Sequence, residues 1–397
     1  MSFDPSQLES GRLRDELAGP QAPAAQVDDE EVAPAGAGEQ TLPFRFSGDG
    51  AEYFRIWVVN MLLTLLTLGV YSAWAKVRKV RYFWHNTRLD GHAFDYHGSA
   101  LAILRGRVLA VVLLALYTYG FQIAVTLGWL TIGVLLLLGP WLFLSAQRFK
   151  LRNSSHRGLR FDFDGSTAAA YRTVLPVLLV WFSSLFASQF LPEQTWAQGL
   201  VALATVFAVP WMHHALKRFQ HAHARYGSWT FAFTPALVSL YGVYALGLFF
   251  VFVGGTVAFF VGRTVEGVVR ASALADLDGL LVTAAVALVM YLAVGPFLAV
   301  RTQRVVWHHT RLGPMRFRTE ISTVGMLRVL LPCIAWTVLT LGLYWPYAAI
   351  RLARYRIECM SLIAPAGLGS IAATLTAHPG SAGGEGAADL FGLEIGL

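Results

Sequence analysis

Phe44-Arg-Phe-Ser-Gly48, with an arginine at position 55, is the stretch that decides how this chain is read. Its pattern returns four times. Phe94, Phe161, Phe231 and Phe317 also stand eleven residues before a fixed position, which holds Arg105, Arg172, Gly242 and Arg328. A second aromatic follows two residues later at Phe46, Tyr96, Phe163 and Phe233, with Thr319 as the exception. Three copies then place Gly48, Gly98 and Gly165. A second spacing runs through the same units: Pro140, Pro210, Pro296 and Pro346 lie eight residues before Arg148, Arg218, Arg304 and Arg354, and Ala73 with Arg81 completes the set. Spacings this regular imply that one unit was copied about five times, so the chain is read as an array before any site is sought.

Working outward, the chain has 397 residues, 55% of them hydrophobic and only 14% charged, with a mean hydropathy of +0.52. Soluble domains carry about 25% charged residues, so this composition implies a multi-pass membrane protein. Val108 to Ser145 carries no charge and suffices for two crossings of about 20 residues each. Thr173–Leu191 with Trp196–Met212, and Ala236–Val261 with Leu280–Val300, make two more pairs. The links between pairs hold the positive charge, including Arg78, Lys79, Arg88, Lys150, Arg157, Arg218, Arg304 and Arg318. The positive-inside rule puts these links in the cytoplasm. The net charge of +7 is therefore local to loops and is no general nucleic-acid signal.

Two outer apolar segments, Phe54–Trp74 and Val324–Tyr347, leave the topology open. They align without a gap, residues 44–82 against 317–355, and Leu66-Thr-Leu-Gly69 matches Leu339-Thr-Leu-Gly342. If each crosses, there are eight spans. If each dips in and returns at Thr-Leu-Gly, there are six, with both termini inside. Asn86 to Tyr96 reads as a β-hairpin turning at Asp90-Gly91. Similar hairpins follow from Arg157-Gly158 and from Thr310 to Phe317. They are expected to gather on the cytoplasmic face. A proline near the end of each outgoing span is expected to kink or restart the helix.

The expected fold is thus an all-α polytopic bundle: six secure spans, two outer segments either re-entrant or spanning, about five internal repeats, and small cytoplasmic β-hairpins. Residues 1–43 read as a disordered acidic tail without a cleavable signal peptide, 44–362 as the transmembrane domain, and 363–397 as a Gly/Ala-rich tail. Phe44 to Gly48, Glu52-Tyr-Phe54, Asn60, Leu66 to Tyr71, Trp74, Arg78, Arg81-Tyr82 and Asn86-Thr-Arg-Leu89 resemble the YjgN family. The resemblance covers about residues 44–362. It implies a bacterial inner-membrane location and supplies no activity, cofactor or catalytic residue.

Trp84-His85-Asn86-Thr87-Arg88-Leu89 returns as Trp307-His308-His309-Thr310-Arg311-Leu312. His85, Arg88, His308 and Arg311 are candidate contacts for an anion or a lipid headgroup. Arg55, Arg105, Arg172 and Arg328, each at the start of a span, are candidates for the same role. Interfacial Trp and Arg that anchor span ends account for both sets more simply. His213, His214, His221 and His223 match no metal-ligand spacing. Cys333 and Cys359 offer neither a structural disulfide nor a metal site. The spans are almost free of ionisable groups, which argues against a proton-coupled pump. Asn60, Gln122, Ser183, Ser184 and Gln189 are their notable polar residues, and bonding between helices explains them.

No nucleophile elbow, phosphate loop or cofactor motif is present, so an enzyme is not expected, nor a cofactor. The expected partners are the bilayer and its anionic headgroups, with no nucleic acid, and nothing indicates a homo-oligomer. Transport or channel activity for a small solute or ion is the leading functional expectation. A non-transporting scaffold or lipid-binding protein is the alternative.

Overall fold

The structure is a computed structural model that describes residues 39–269 and 294–364. Ten short strands carry the alternating sequence: β1 (Gln40–Phe46), β2 (Thr87–Leu89), β3 (His92–Tyr96), β4 (Ser154–His156), β5 (Leu159–Phe163), β6 (Ala224–Tyr226), β7 (Trp229–Phe233), β8 (Thr310–Leu312), β9 (Met315–Thr319) and β10 (Met360–Ala364). Every neighbouring pair is antiparallel, and the order β1-β10-β9-β8-β7-β6-β5-β4-β3-β2 closes into a barrel. Closure rests on β1 against β10, where Gln40 faces Ala364 and Leu42 faces Leu362.

This barrel overturns the expectation of an all-α bundle with separate hairpins. The hairpins do form, turning at Asp90-Gly91 and Arg157-Gly158 with positive φ at both residues, as a tight hairpin requires. Each strand, however, has one apolar face and two free edges. Ten such faces are hidden from water together only when the sheet closes on itself, which also removes every edge. The lumen is filled by side chains. Leu89, Phe94, Tyr226, Leu312, Met315 and Leu362 are buried there, and Phe44, Phe161, Phe231 and Phe317 pack against them. The first phenylalanine of the recurring motif is therefore a lumen residue. Phe94 stacks between Phe44 and Phe161, with ring centroids at 6.2 and 6.5 Å.

Helices come in pairs between the hairpins. They are α1 (Gly50–Leu66), α2 (Ser72–His85), α3 (Ala100–Ile123), α4 (Val125–Arg152), α5 (Thr167–Phe190), α6 (Thr195–Ala222), α7 (Leu237–Val269), α8 (residues 294–308), α9 (Thr323–Leu339) and α10 (Trp345–Glu358). Among the described residues, five are long and apolar enough to cross a membrane: α3, α4, α5, α6, and α7 over Leu237–Val257. The expected span Leu280–Val300 lies partly outside the described residues, as do most of both tails and part of the connector after Arg263.

The rest of the motif is spent on joining strand to helix. Asp49, Ser99, Ser166 and Ser322 each cap the following helix through a side-chain oxygen. Gly48, Gly98 and Gly165 sit under the second aromatic: a Cβ there would lie 2.4–2.6 Å from the rings of Phe46, Tyr96 and Phe163. At five places the residue after a long strand bonds the carbonyl that ends an outgoing helix. These bonds run from Ser47 to Asn86, His97 to Asn153, Asp164 to His223, Thr234 to His309 and Glu320 to Cys359, at 2.7–2.9 Å. Pro140 and Pro210 lie inside α4 and α6, which continue past them, whereas Pro346 starts α10.

Candidate functional site

Each outer segment doubles back as a helical hairpin. The chain enters on α1, turns over Thr67–Tyr71 and returns on α2 to the barrel, and α9 and α10 do the same around Thr340–Tyr344. Helix length makes the difference measurable. Beyond Arg105 and Arg172, α3 and α5 each run eighteen residues, about 27 Å at 1.5 Å per residue. Beyond Arg55 and Arg328, α1 and α9 run only eleven, about 17 Å. The first length matches a hydrocarbon core of about 30 Å, and the second is about half of it.

A non-helical turn at half depth must satisfy its own backbone or face protein or water. Both turns do part of this internally. Thr67 Oγ1 donates to Leu63 O at 2.8 Å and accepts from Tyr71 N at 2.9 Å, and Gly69 N donates to Thr64 O at 2.8 Å. The twin bonds link Thr340 to Trp336 and Tyr344, and Gly342 to Thr337. Leu68 and Leu341 take φ of 50° and Gly69 and Gly342 take 92°, in identical turns.

Beside the first turn a groove of about 450 Å³ opens between α1, α2 and α3. Tyr53, Trp57, Asn60, Met61, Thr64 and Leu65 line it from one face of α1. Ser72, Ala75, Lys76 and Lys79 line it from α2, and Arg107 from α3. Arg107 donates to the Ser72 hydroxyl, which in turn donates to Gly69 O in the turn itself. Asn60 is buried, and its side-chain oxygen has no hydrogen-bond partner. The groove thus carries three cations and a vacant amide acceptor from near the barrel to the tip of the hairpin.

The sequence pointed to Asn60 but not to Arg107, Lys76 or Lys79 as a group. Arg107 stood at the edge of the uncharged run beginning at Val108. The available signal was Arg105-Gly-Arg107, where a second arginine lies two residues deeper than the recurring one.

The candidate contacts named from sequence are dispersed. Arg55, Arg105, Arg172 and Arg328 are each the sixth residue of a helix and are exposed, and Arg328 lines a second groove of about 350 Å³ with Arg351, Arg354 and Glu358. His85, Arg88, His308 and Arg311 are exposed too, the two arginines on outward strand positions. The arrangement brings none of these eight into the Asn60 groove. The four histidines also separate. His213 meets Tyr244 Oη at 2.8 Å, His214 the backbone of Ala236, His221 the Thr310 hydroxyl, and His223 Phe219 O.

Inside the barrel, His156 has Nδ1 3.2 Å from Tyr226 Oη and stacks on Phe94 at 4.4 Å. Burial pushes its pKa down to about 4 and that of Tyr226 up to about 12. Tyr226 Oη also lies 3.0 Å from His156 O, and His156 Nε2 lies 3.4 Å from Leu89 O.

Fold and groove together define a helical membrane protein whose hairpins are joined at one end by a closed β-barrel, two of them built from short helices. The chain belongs to the family described as "Bacterial protein of unknown function (DUF898)", which matches residues 41–390. It is similar to the inner membrane protein YjgN of Salmonella typhimurium, 35% identical over 141 residues, covering 34% of this chain and 35% of the relative. Inner membrane protein YjgN of Escherichia coli K12 is 30% identical over 178 residues, covering 42% and 43%. The chain thus spans well under half the length of the curated relatives it matches. No solved structure matches it. It is an inner-membrane protein.

Proposed function

We propose that the protein is a transport or channel protein for a small solute or ion, with its barrel on the cytoplasmic side. The observation that carries this reading is the groove lined by Asn60, Thr64, Ser72, Lys76, Lys79 and Arg107, which follows a half-depth hairpin to its tip. Irregular backbone at membrane depth is tolerated where it borders protein or water, and a polar groove supplies that border. The lumen of the barrel is filled with aromatic side chains, so the proposed route runs beside the barrel and not along its axis. The basic links at the barrel end support the orientation. The recurring strand–helix joint is most simply the product of duplicating one unit.

The test is flux. Purified full-length protein in liposomes is challenged with a broad panel of ions and small solutes, and at least one is expected to cross at a rate that Arg107→Met reduces. Lack of flux for every member of the panel overturns the reading. A specific observation favours a second reading, lipid binding without transport. Arg78 lies over Tyr71 at 5.9 Å and Arg351 over Tyr344 at 5.8 Å, twin cation–aromatic pairs outside the barrel. If flux is absent while anionic lipid co-purifies and raises thermal stability, that reading stands instead.

A further inference from the structure

The helices that lead back to the barrel, α2, α4, α6, α8 and α10, carry Arg81, Arg148, Arg218, Arg304 and Arg354 at matching positions. Successive helix residues turn by about 100°. Three residues before and four after these arginines stand Arg78, His85, Ala222, Arg301, His308, Arg351 and Glu358, all exposed, and Ser145, Arg152 and Ala215, half-buried. That is the outward face. One residue before the same arginines, on the opposite side, stand Gln147, Lys217 and Gln303, with Val80 and Ala353 completing the level. Three residues further toward the barrel come Lys150, Gln220 and Arg356. The inward faces of four of these helices are thus lined, just beneath the barrel, by amides and cations. Among the described residues these two levels contain no carboxylate.

Several of these groups are buried without being satisfied. Gln220 is 4% exposed, and neither its side-chain nitrogen nor its oxygen has a hydrogen-bond partner. Gln303 is 8% exposed; its oxygen accepts from Arg356 at 2.8 and 3.1 Å, but its nitrogen has no partner. His221 is 7% exposed, and its Nε2 also lacks one. The tautomer of His221 follows from its neighbour. Thr310 Oγ1 donates its proton to Val306 O at 2.7 Å, so it accepts from His221 Nδ1 at 3.2 Å. Nε2 is then a bare acceptor. Two donors and two acceptors thus stand vacant on α6, which also carries Lys217, and on α8. A buried amide left unpaired carries its full desolvation cost, so such a set is expected to serve a ligand.

We propose that this level of the bundle binds a protonated oxyanion of the hydrogen phosphate type. The amide nitrogens of Gln220 and Gln303 donate to its oxygens, and Lys217 balances its charge. Its hydroxyl donates to His221 Nε2 or to Gln220 Oε1. A halide only accepts and leaves both acceptors vacant, and a phosphodiester headgroup carries no hydroxyl on phosphorus. The inference does not depend on whether any solute crosses the membrane.

The experiment measures thermal unfolding of the full-length protein in detergent, titrated with sodium phosphate, with sodium chloride at matched ionic strength, and with phosphatidylglycerol in mixed micelles. Phosphate is expected to raise the midpoint saturably by several degrees, with chloride and the lipid failing to do so. Gln220→Leu and Lys217→Met are expected to abolish that rise. Gln220→Leu should also raise the midpoint in the absence of phosphate, because it removes two vacant polar atoms, so its loss of response cannot be ascribed to misfolding. Arg105→Ala, on the outside of the bundle, is expected to keep the full response. The proposal is overturned if phosphate gives no saturable rise, if chloride or the lipid matches it, or if both inward variants retain it.

Discussion

The outer hairpins α1/α2 and α9/α10 and the inner pairs α3/α4 and α5/α6 begin alike and end differently. All four first helices are capped by Asp or Ser and carry an arginine at their sixth residue. The inner ones then run to connectors such as Pro192-Glu193-Gln194 at the far side. The outer ones stop after eleven more residues in a Thr-Leu-Gly turn that bonds to itself. The start of a hairpin is therefore set by the barrel joint, which is common to all. Its depth is set by where the apolar run meets a glycine that can take φ of 92°. The two short hairpins pack side by side, and the basic groove lies against one of them.

The largest effect expected from this contrast is all-or-none. In a chain with Cys333 and Cys359 replaced by serine, single cysteines at Gln40, Ile363, Leu68 and Gln194 are treated with a membrane-impermeant thiol reagent on intact cells and on inverted vesicles. Gln40 and Ile363, adjacent strands of one barrel, are expected to react from the same face. Gln194 should react from the other. Leu68, at the tip of the first outer hairpin and 95% exposed, should not react from the face that labels Gln194. Reaction of Leu68 and Gln194 from one face would mean that the outer hairpin crosses, and the contrast of depths would fall.

A smaller effect, of several kcal/mol, concerns the barrel that the two kinds of hairpin share. Phe94→Ala removes a buried ring stacked on both sides and should cost about 3–5 kcal/mol. Phe44→Ala, in the first strand and only half-buried, should cost less. Chemical denaturation of the two variants decides this, and equal losses would contradict the placement of Phe94 at the centre of the stack. His156 adds a pH signature to the same core. Its folded pKa, about 4, lies below the ordinary value of 6.5, so the unfolded chain takes up a proton first as pH falls. Stability from this group is full above pH 6.5 and is lost progressively down to about pH 4, by roughly 3 kcal/mol in all. His156→Phe should flatten that part of the stability profile. An unchanged slope would show that another group causes it.

Much of this was legible in the sequence, residue by residue. Asp90-Gly91 gave a hairpin because two positive φ values are tolerated there, and the charge-free run after Val108 gave two helices. The barrel was not legible because closure is a property of ten strands at once. No single three-residue strand such as Thr87–Leu89 announces its second neighbour, since pairing across hairpins depends on where the helices return the chain. Arg55 and its counterparts were placed at the start of spans; each is the sixth residue of a helix, but among these helices only α3 and α5 are long enough to cross. The groove was missed because Asn60, Ser72 and Arg107 are far apart in the sequence, and only the turn at Gly69 folds α2 back between α1 and α3.

The smallest expected effect isolates that turn. At Gly69 a Cβ would meet nothing within 4 Å, so an added methyl group meets no steric obstacle and only the backbone objects. A φ of 92° lies outside what an L-residue adopts readily, and Gly69→Ala should cost about 1–2 kcal/mol. Gly342→Ala, in the twin turn with the same φ and the same open surroundings, should cost as much. Gly199 lies within the long helix α6, and a Cβ there also meets nothing within 4 Å. Because its backbone is helical, Gly199→Ala should be neutral or stabilise by up to about 1 kcal/mol. The three variants thus add the same methyl group to open space, and their thermal midpoints separate the strain of the half-depth turn from ordinary helix propensity. A loss at Gly199 as large as that at Gly69 would mean that backbone conformation is not what distinguishes the two kinds of hairpin.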